Sequence, residues 1–279
     1  MQKATGSVFV MRLASIHTYP VKALHRVDHD AARVEPWGLT GDRRFLLIDH
    51  DGRMLTQRDE RRLALLRPSY VDGQLVVRAT GRPDLCVQPL PGEPVDVRVW
   101  RAVVTTSLVG EAADAWLSEA LDRKVRLVYL DDPARRPVDP RYGRAGDRVN
   151  LADDYPVLLT NIASLNVLND WIAEGGSDEG PLPMTRFRPN LVVAGAPAWA
   201  EDGWVGRRLR IGAVTFRMPK LCSRCVVPNT DQETAERGRE PLVTLARSRN
   251  VNHKLLFGMN LIPDGAGEVR VGDEVTVVD

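Results

Sequence analysis

Residues 63–79 read LALLRPSYVDGQLVVRA, and this stretch indicates a protein built from short β-strands. Two largely apolar runs, Leu63–Val71 and Leu75–Ala79, flank the pair Asp72-Gly73. Asp-Gly is favoured in two-residue hairpin turns, because both central positions need a left-handed backbone. The stretch therefore predicts a β-hairpin.

The same pattern continues in both directions along the chain. Arg43–Asp49 and Met54–Arg58 flank Asp51-Gly52, which predicts a second hairpin. The other predicted strands are Met11–Tyr19, Val95–Trp100, Ala102–Leu108, Val125–Leu130, Pro156–Thr160, Leu191–Ala194, Leu209–Phe216, Lys254–Phe257 and Glu268–Val278. Many short strands separated by turn residues are typical of barrels.

Three segments have the character of helices. Apolar residues share one face in Ala113–Leu121 and in Ile162–Ile172, and Leu242–Ser248 is expected to form a short third helix. Thr160 or Asn161 can cap the second helix. The fold class predicted is mainly β or α+β, with two β-barrel-like domains and a few helices.

One segment without periodicity separates the two parts of the chain. Asp131–Asp147 is rich in Pro, Arg, Asp and Gly, which predicts an interdomain crossing or an active-site loop. We therefore expect two domains, residues 11–125 and residues 126–279, and a chain of 279 residues is long enough for both.

The charge and hydropathy of the chain exclude some classes of partner. The formal net charge is +1, so no bulk attraction to nucleic acid or to an acidic membrane is expected. No apolar run approaches the roughly 20 residues of a membrane span. Met1–Val10 has too short an apolar core for a secretory signal. The predicted location is the cytoplasm, without a nucleic-acid or membrane partner.

The chain has three cysteines, and two of them form the motif Cys222-Ser223-Arg224-Cys225. An odd, low count argues against a disulfide framework and against an iron–sulfur module, which needs four thiolates. Structural zinc also needs four ligands, and only Cys86 remains as a thiol. A thioredoxin-like pair needs a helix at the motif, whereas Val226–Asn229 looks extended.

Arg224 makes a metal-binding thiolate a serious interpretation of this motif. A guanidinium beside a thiol favours the thiolate, which is the form that binds metals. A single thiolate suits a redox metal whose other ligands come from an organic cofactor. Two buried cysteines that act as small apolar residues stay open as the alternative.

Several short blocks occur in an order that is specific as a set. They are Tyr19–Lys22, Gly41–Phe45, Leu55–Arg58, Leu158–Leu165, Phe187–Asn190, Lys220–Cys225, Asn229–Asp231 and Val271–Asp273. In these blocks the sequence resembles the MOSC-domain proteins that bind molybdenum cofactor, of the amidoxime-reducing-component type. The blocks run from near residue 15 to the C-terminus, so the resemblance covers nearly the whole chain.

The resemblance implies a fold and a cofactor site. It implies an N-terminal MOSC-associated β-barrel followed by the MOSC barrel, with the molybdenum cofactor (Mo-molybdopterin) between them. It further implies that Cys225 is the metal ligand. The cofactor-binding positions that it implies are Lys22, Arg43, Thr160, Asn161, Arg188, Ser223 and Arg224. Ala23 stands where many relatives have Ser, and Asn260 stands where some relatives have Tyr.

The residues themselves support further candidates. Arg186 and Arg188 alternate with Phe187, so on a strand both would point to one face and could bind phosphate. Arg58 follows the return of a predicted hairpin and could face the same cleft. Asp231 could orient an arginine or handle a proton near the metal, or it could be a turn residue.

The predicted function is a molybdenum cofactor-binding oxidoreductase. The resemblance implies reduction of N-hydroxylated (N–O) small molecules by oxygen-atom transfer at molybdenum. Cys225, Arg224 and Asp231 are the catalytic candidates, and a separate ferredoxin or flavin-reductase type protein would supply electrons. Two alternatives stay open: a non-enzymatic cofactor carrier or insertion protein, and a sulfur carrier with a persulfide on Cys222 or Cys225, as in proteins related to pyridoxal-phosphate-dependent sulfurases.

Overall fold

A computed structural model describes residues 10–279. The prediction made for Met1–Val10 concerns residues that, apart from Val10, lie outside this range. The strands are β1 Met11–Thr18, β2 Val27–His29, β3 Ala31–Glu35, β4 Gly38–Leu39, β5 Phe45–Ile48, β6 Arg67–Val71, β7 Gln74–Arg78, β8 Leu85–Val87, β9 Pro94–Val99, β10 Ala102–Leu108, β11 Arg126–Tyr129, β12 Val157–Asn161, β13 Leu191–Ala194, β14 Arg208–Ile211, β15 Val214–Ser223, β16 Asn250–Val251, β17 Lys254–Pro263, β18 Gly267–Arg270 and β19 Glu274–Val278. The α-helices are α1 Glu111–Leu121, α2 Ile162–Glu174 and α3 Leu242–Ser248.

Seven strands form a closed barrel in the order β12-β13-β1-β19-β14-β15-β17, which closes where β17 pairs with β12. The β12–β13 pair is parallel and the other pairs are antiparallel. Leu13, Ile16, Phe216 and Met259 are among the side chains buried in its core. Closure leaves no unpaired edge along the seven strands.

Within the first half of the chain, residues 10–130, the strands β5–β11 form smaller sheets that make an open half-barrel. β5-β11-β10-β9 and β6-β7-β8 are separate antiparallel sheets. Helix α1 contributes Leu117 and Leu121 to a core that also contains Phe45 and Leu47 of β5. A third sheet, β18-β3-β4, joins this half to the second half, residues 131–279. The mainly β fold predicted from the sequence is confirmed.

The segments with the strongest local sequence signals adopt the predicted structures. Asp72 and Gly73 turn between β6 and β7 with φ values of 48° and 79°. α3 has the predicted bounds, and the side chain of Asn161 caps α2 by accepting a hydrogen bond from the backbone N–H of Ala163.

Other local predictions were wrong. Met54–Arg58 is not a strand, because only Met54 bridges to β5 before the chain turns away. Leu209–Phe216 is not one strand, because Gly212 with φ 54° turns the chain from β14 into β15. Val226–Asn229 is not extended, because Val227–Asn229 forms a 3-10 turn that contains Pro228.

The division into residues 11–125 and 126–279 stays a prediction. β1 lies in the barrel formed by strands of the second half, and β18 pairs with β3 of the first half. The two halves therefore share strands as well as a linker. Among residues 10–279 the structure has no helix with the length and apolar character needed to cross a membrane.

Candidate functional site

A cavity of about 440 Å³ lies where segments of the two halves meet. This volume falls within the range of small-molecule and cofactor sites. Six cationic side chains line the cavity: Lys22, Arg43, Arg58, Arg188, Lys220 and Arg224. Two carboxylates, Asp153 and Asp154, line it as well. The excess of positive charge favours anionic ligands.

Lys22 is held at the cavity wall by the second half of the chain. Its Nζ donates to the carbonyl oxygen of Leu151 at 2.8 Å and to Oδ1 of Asp153 at 2.5 Å. The indole N–H of Trp100 also donates to Asp153, at 3.1 Å, and the guanidinium of Arg58 lies 4.4 Å from the centroid of the Trp100 ring. Removal from water opposes ionisation of Asp153, but the Lys22 ammonium holds the pKa of that carboxyl well below its usual range.

Two arginines from distant parts of the chain lie over one tyrosine ring. The guanidinium carbons of Arg43 and Arg188 are 4.4 and 4.2 Å from the centroid of Tyr19. Arg43 Nη1 donates to Oδ2 of Asp42 at 2.5 Å, and Arg188 Nη1 donates to Oε1 of Gln232 at 2.8 Å. Burial lowers the pKa of Arg188 to about 10 and raises the pKa of Tyr19 to about 12. The Arg188 guanidinium is therefore charged and Tyr19 is neutral at pH 7.

The cavity wall contains an unusual share of left-handed backbone. Ala23, Arg43, Trp100 and Arg188 line the cavity with φ values between 45° and 71°. They are four of the ten non-glycine residues with positive φ among residues 10–279. Such conformations cost of order 1–3 kcal/mol each and cluster at functional sites. The distribution supports a functional role for this cavity.

The cysteine motif lies in the same wall, but its charges are arranged differently from the sequence-based prediction. Arg224 Nη1 approaches Sγ of Cys222 at 3.1 Å, and Nη2 donates to the carbonyl oxygen of Phe187 at 2.7 Å. Burial raises the pKa of the Cys222 thiol, and Arg224 opposes that shift. Arg224 therefore acts first on Cys222, and not on Cys225 as we expected.

Arg237 belongs to the loop that follows the cysteine motif. Burial, together with the positive charge of Arg61, lowers the pKa of Arg237. Arg237 Nε also donates to Oγ1 of Thr230 at 3.2 Å, and its Nη2 donates to the carbonyl oxygen of Gln57. Arg237 lies twelve residues beyond Cys225 and outside the motif, and its contact with Gln57 ties its loop to the first half of the chain.

Seven of the predicted site residues line one cavity: Lys22, Arg43, Arg58, Arg188, Ser223, Arg224 and Cys225. Four others do not line it: Thr160, Asn161, Arg186 and Asp231. Thr160 is buried, and the Asn161 amide donates to the carbonyl oxygen of Pro197 at 2.8 Å while its oxygen caps α2. The Asn161 side chain therefore serves the fold, whereas the Thr160 hydroxyl is buried without a partner among the described residues.

Arg186 and Arg188 do not share a strand face, so that prediction was wrong. Met184–Phe187 is a 3-10 turn, and Arg188 ends it with a left-handed backbone. Arg186 consequently points to the carbonyl oxygen of Asn229, at 2.9 Å, and to Oδ2 of Asp231, at 3.0 Å. Asp231 also accepts backbone hydrogen bonds within its own turn, which places it in the loop structure.

The cavity has one further chemical property that limits what it can bind. Among residues 10–279 no three His, Cys, Asp or Glu side chains come together in a way that could hold a metal ion. A metal beside Cys225 would therefore need ligands from an organic group. Arg224 Nε is a buried donor without a partner among the described residues, and such a donor suits an anionic group. The donor set thus fits an anionic cofactor that carries its own metal ligands.

Comparisons with known proteins agree with this architecture. The MOSC N-terminal beta barrel domain model matches residues 10–124, and the MOSC domain model matches residues 146–276. Mitochondrial amidoxime-reducing component 1 of Homo sapiens is 31% identical over 94% of this chain and 82% of its own. Molybdenum cofactor sulfurase of Oryza sativa is 29% identical over 97% of this chain, which spans only 35% of that protein.

A solved structure also resembles the chain over nearly its whole length. The YUAD protein from Bacillus subtilis matches 95% of this chain and 94% of its own, with a TM-score of 0.41 and 11% identity. On the sequence comparisons, the chain belongs to the MOSC-domain family and within it to the amidoxime-reducing-component type, which combines the N-terminal barrel domain with the MOSC domain.

Proposed function

We propose that this chain binds the molybdenum cofactor through Cys225 and reduces N-hydroxylated small molecules. The observation that carries the proposal is that Cys225 lines one cavity with Lys22, Arg43 and Arg188, while no protein cluster nearby in residues 10–279 could complete a metal site. When bound, the cofactor supplies two-electron redox chemistry at a metal.

In this proposal, different residues of the cavity wall contact different parts of the cofactor. Lys22, Arg43 and Arg188 hold anionic groups of the cofactor, because their charges lie at fixed positions in the wall. Arg58 and the free donor of Arg224 add contacts. Ser223 lines the same cavity two residues before Cys225. We assign no cofactor contact to the side chains of Thr160, Asn161 or Arg186.

The proposed reaction needs an external source of electrons. Conversion of R–NHOH to R–NH2 and water consumes two electrons and two protons. The three free thiols are those of Cys86, Cys222 and Cys225, and we assign none of them to electron transfer. A separate ferredoxin or flavin-reductase type protein is therefore the proposed donor, with protons from solvent. The cytoplasmic location stays a prediction, and the human relative is named mitochondrial.

The test compares Cys225→Ala with the matched control Cys86→Ala, which removes an exposed thiol away from the cavity. Molybdenum is measured by elemental analysis and the pterin by fluorescence. Reduction of benzamidoxime is measured with a chemical electron donor. We expect Cys225→Ala to lose metal and turnover, and Cys86→Ala to keep both. Equal molybdenum in the two variants would falsify the proposal.

A second candidate function has one observation in its favour. Cys222 is a second thiol in the same cavity, and Arg224 at 3.1 Å could stabilise a persulfide on it. The similarity to molybdenum cofactor sulfurases fits sulfur handling. Intact mass measurement of Cys222→Ala and of the unmodified chain separates this function from reduction, because only a sulfur carrier shows an added sulfur atom. Cofactor binding without any turnover would instead support a carrier or insertion protein.

A further inference from the structure

Lys220 lies in the cavity wall beside the cysteine motif. It belongs to β15 and pairs in register with Asn260 of β17, and both residues line the cavity. Cys222 follows two residues later on the same strand and lines the cavity as well. A molecule that reaches Cys225 through this part of the cavity therefore passes the Lys220 side chain.

The ammonium of Lys220 contacts two aromatic rings and no acceptor. Its Nζ lies 4.8 Å from the ring centroid of Tyr142 and 5.1 Å from that of Tyr155. Within residues 10–279 it forms no ion pair and no side-chain hydrogen bond. Asp139 and the cavity-lining Asp154 are the acidic residues near Tyr155, and Asp139 is paired with Arg141 at 2.6 Å. Lys220 forms a direct ion pair with neither carboxylate.

The neighbours of Lys220 also have unused hydrogen-bonding capacity. Tyr155 is 5% exposed, lines the cavity, and has a buried hydroxyl without a partner among the described residues. Asn260 donates through Nδ2 to the carbonyl oxygens of Lys220 and Leu221, at 3.3 Å each. Tyr142 is 40% exposed and meets the Tyr155 ring edge to face. Lys220 and Tyr155 thus bring a cation and a free hydroxyl to the cavity wall, and the Tyr142 ring packs against both from outside the cavity lining.

Packing against protein side chains explains the position of the aliphatic part of Lys220, but it does not supply the hydrogen-bond acceptors that the ammonium group needs. An ammonium beside aromatic rings gains a cation–π attraction, and it still needs hydrogen-bond acceptors to replace lost water. A carboxylate supplies such acceptors and forms a charge-assisted hydrogen bond. Four other cations of the cavity wall each have an acceptor in the protein: Lys22, Arg43, Arg188 and Arg224. Arg58, which lies on the Trp100 ring, resembles Lys220 in having no such acceptor among the described residues.

We propose that Lys220, Tyr142 and Tyr155 form a subsite that binds an anionic group of the substrate, and that the chain prefers N-hydroxylated substrates that carry a carboxylate. This inference rests on the proposed reductase function. It goes beyond that function because it names the substrate class and the residues that select it.

The kinetic test uses two substrates that differ in one carboxylate, benzamidoxime and 4-carboxybenzamidoxime. We expect Lys220→Met to reduce the ratio of kcat/KM for the charged over the neutral substrate by about tenfold, the size of a lost charge-assisted hydrogen bond. The loss should appear in KM and not in kcat. Lys220→Arg should keep most of the preference, and Lys254→Met, which removes an exposed lysine elsewhere, should keep all of it.

A binding measurement makes the inference testable without turnover. Titration calorimetry with 4-carboxybenzamidine and benzamidine, which have no N–O bond to reduce, should show tighter binding of the carboxylate by the unmodified chain and not by Lys220→Met. Molybdenum content should be equal in both. Equal affinity for the two ligands, or loss of molybdenum in Lys220→Met, overturns the subsite. Failure to reduce either amidoxime defeats the reductase function, and the binding result then decides the subsite by itself.

Discussion

The six cationic side chains of the cavity fall into two groups with different environments. Lys22, Arg43, Arg188 and Arg224 each bond to an acceptor of the protein, whereas Arg58 and Lys220 contact aromatic rings and lack such an acceptor among residues 10–279. The fold fixes the charges of the first group, which we call the paired cations. The second group, the unpaired cations, keeps its charge available to a ligand.

The comparison predicts two kinds of response to substitution. Partners of the paired cations come from both halves of the chain, so their removal should lower stability. Gln232, for example, accepts from Arg188 and exchanges two hydrogen bonds with Gln57 of the first half, at 2.9 and 3.0 Å. Removal of an unpaired cation should change ligand binding and leave stability almost unchanged.

The largest loss of stability is expected when Asp42 is substituted. This residue is fully buried, and it accepts hydrogen bonds from Arg43 and, at 2.8 Å, from the backbone N–H of Tyr19. Asp42→Asn should lower the free energy of unfolding by about 3–5 kcal/mol, because it leaves the Arg43 charge uncompensated. Urea denaturation measures the change, with Asp170→Asn on the exposed face of α2 as the control. A loss as small as that of the control would remove the distinction between the two groups.

Substitution of Gln232 should lower the free energy of unfolding by an intermediate amount. Gln232→Ala leaves Arg188 Nη1 without its acceptor and Gln57 Oε1 without its donor in a buried place, while Gln57 Nε2 keeps the carbonyl oxygen of Ala23; the loss costs about 1–3 kcal/mol of unfolding free energy. The exposed Gln88→Ala should change stability by at most about 0.5 kcal/mol. Equal denaturation midpoints for both variants would show that the Gln57–Gln232 pair does not hold the halves together.

Substitution of Glu233 should lower the free energy of unfolding by a smaller amount, which depends on pH. Burial opposes its ionisation, but hydrogen bonds from His25, Arg67 and Arg26 lower the pKa of Glu233 to about 2. Its folded pKa is below its unfolded pKa, so its contribution is present above about pH 4.5 and is lost as the pH falls towards about 2. Glu233→Gln should therefore cost at most about 1 kcal/mol at neutral pH, since the side chain is half exposed.

Denaturation at neutral and acidic pH checks this prediction. The difference between Glu233→Gln and the unmodified chain should shrink as the pH falls through that window. Glu236→Gln, three residues further on and exposed, should show no such dependence. A difference that grows in acid would contradict the assigned direction.

The smallest effect on stability is expected at an unpaired cation. Arg58→Ala removes a cation–π contact with Trp100 and should cost only about 0.5 kcal/mol. Its effect should appear in cofactor retention, measured as pterin fluorescence after gel filtration. A stability loss comparable to that of Asp42→Asn would place Arg58 among the paired cations.

Some features of this molecule could be predicted because they depend on local sequence. The Asp72-Gly73 turn and the bounds of α3 follow from backbone preferences and periodicity. Cys225 and Lys22 could be selected because the order of the motifs is specific. Asp153 could not be selected from the sequence. It lies in a segment rich in Asp and Pro, and nothing in that segment shows which of the carboxylates contacts Lys22.

Other features depend on tertiary contacts or on side-chain direction. The left-handed backbone of Arg188 aims its guanidinium over Tyr19, which is distant in sequence, so alternation with Arg186 misleads. Arg224 contacts Cys222, although Cys225 is its immediate neighbour, at the irregular end of β15 where the pairing register shifts, and sequence spacing does not predict this contact.

The position of β1 in the closed barrel has a consequence for synthesis on the ribosome. β1 lies between β13 and β19, and Met11 pairs with Val275. β1 is therefore made long before its neighbour β19. Until β19 is made, the edge of β1 at Met11 and Arg12 can pair with another chain. Pairing across such a sequence distance is slow, so chaperone capture of the nascent chain should protect its yield.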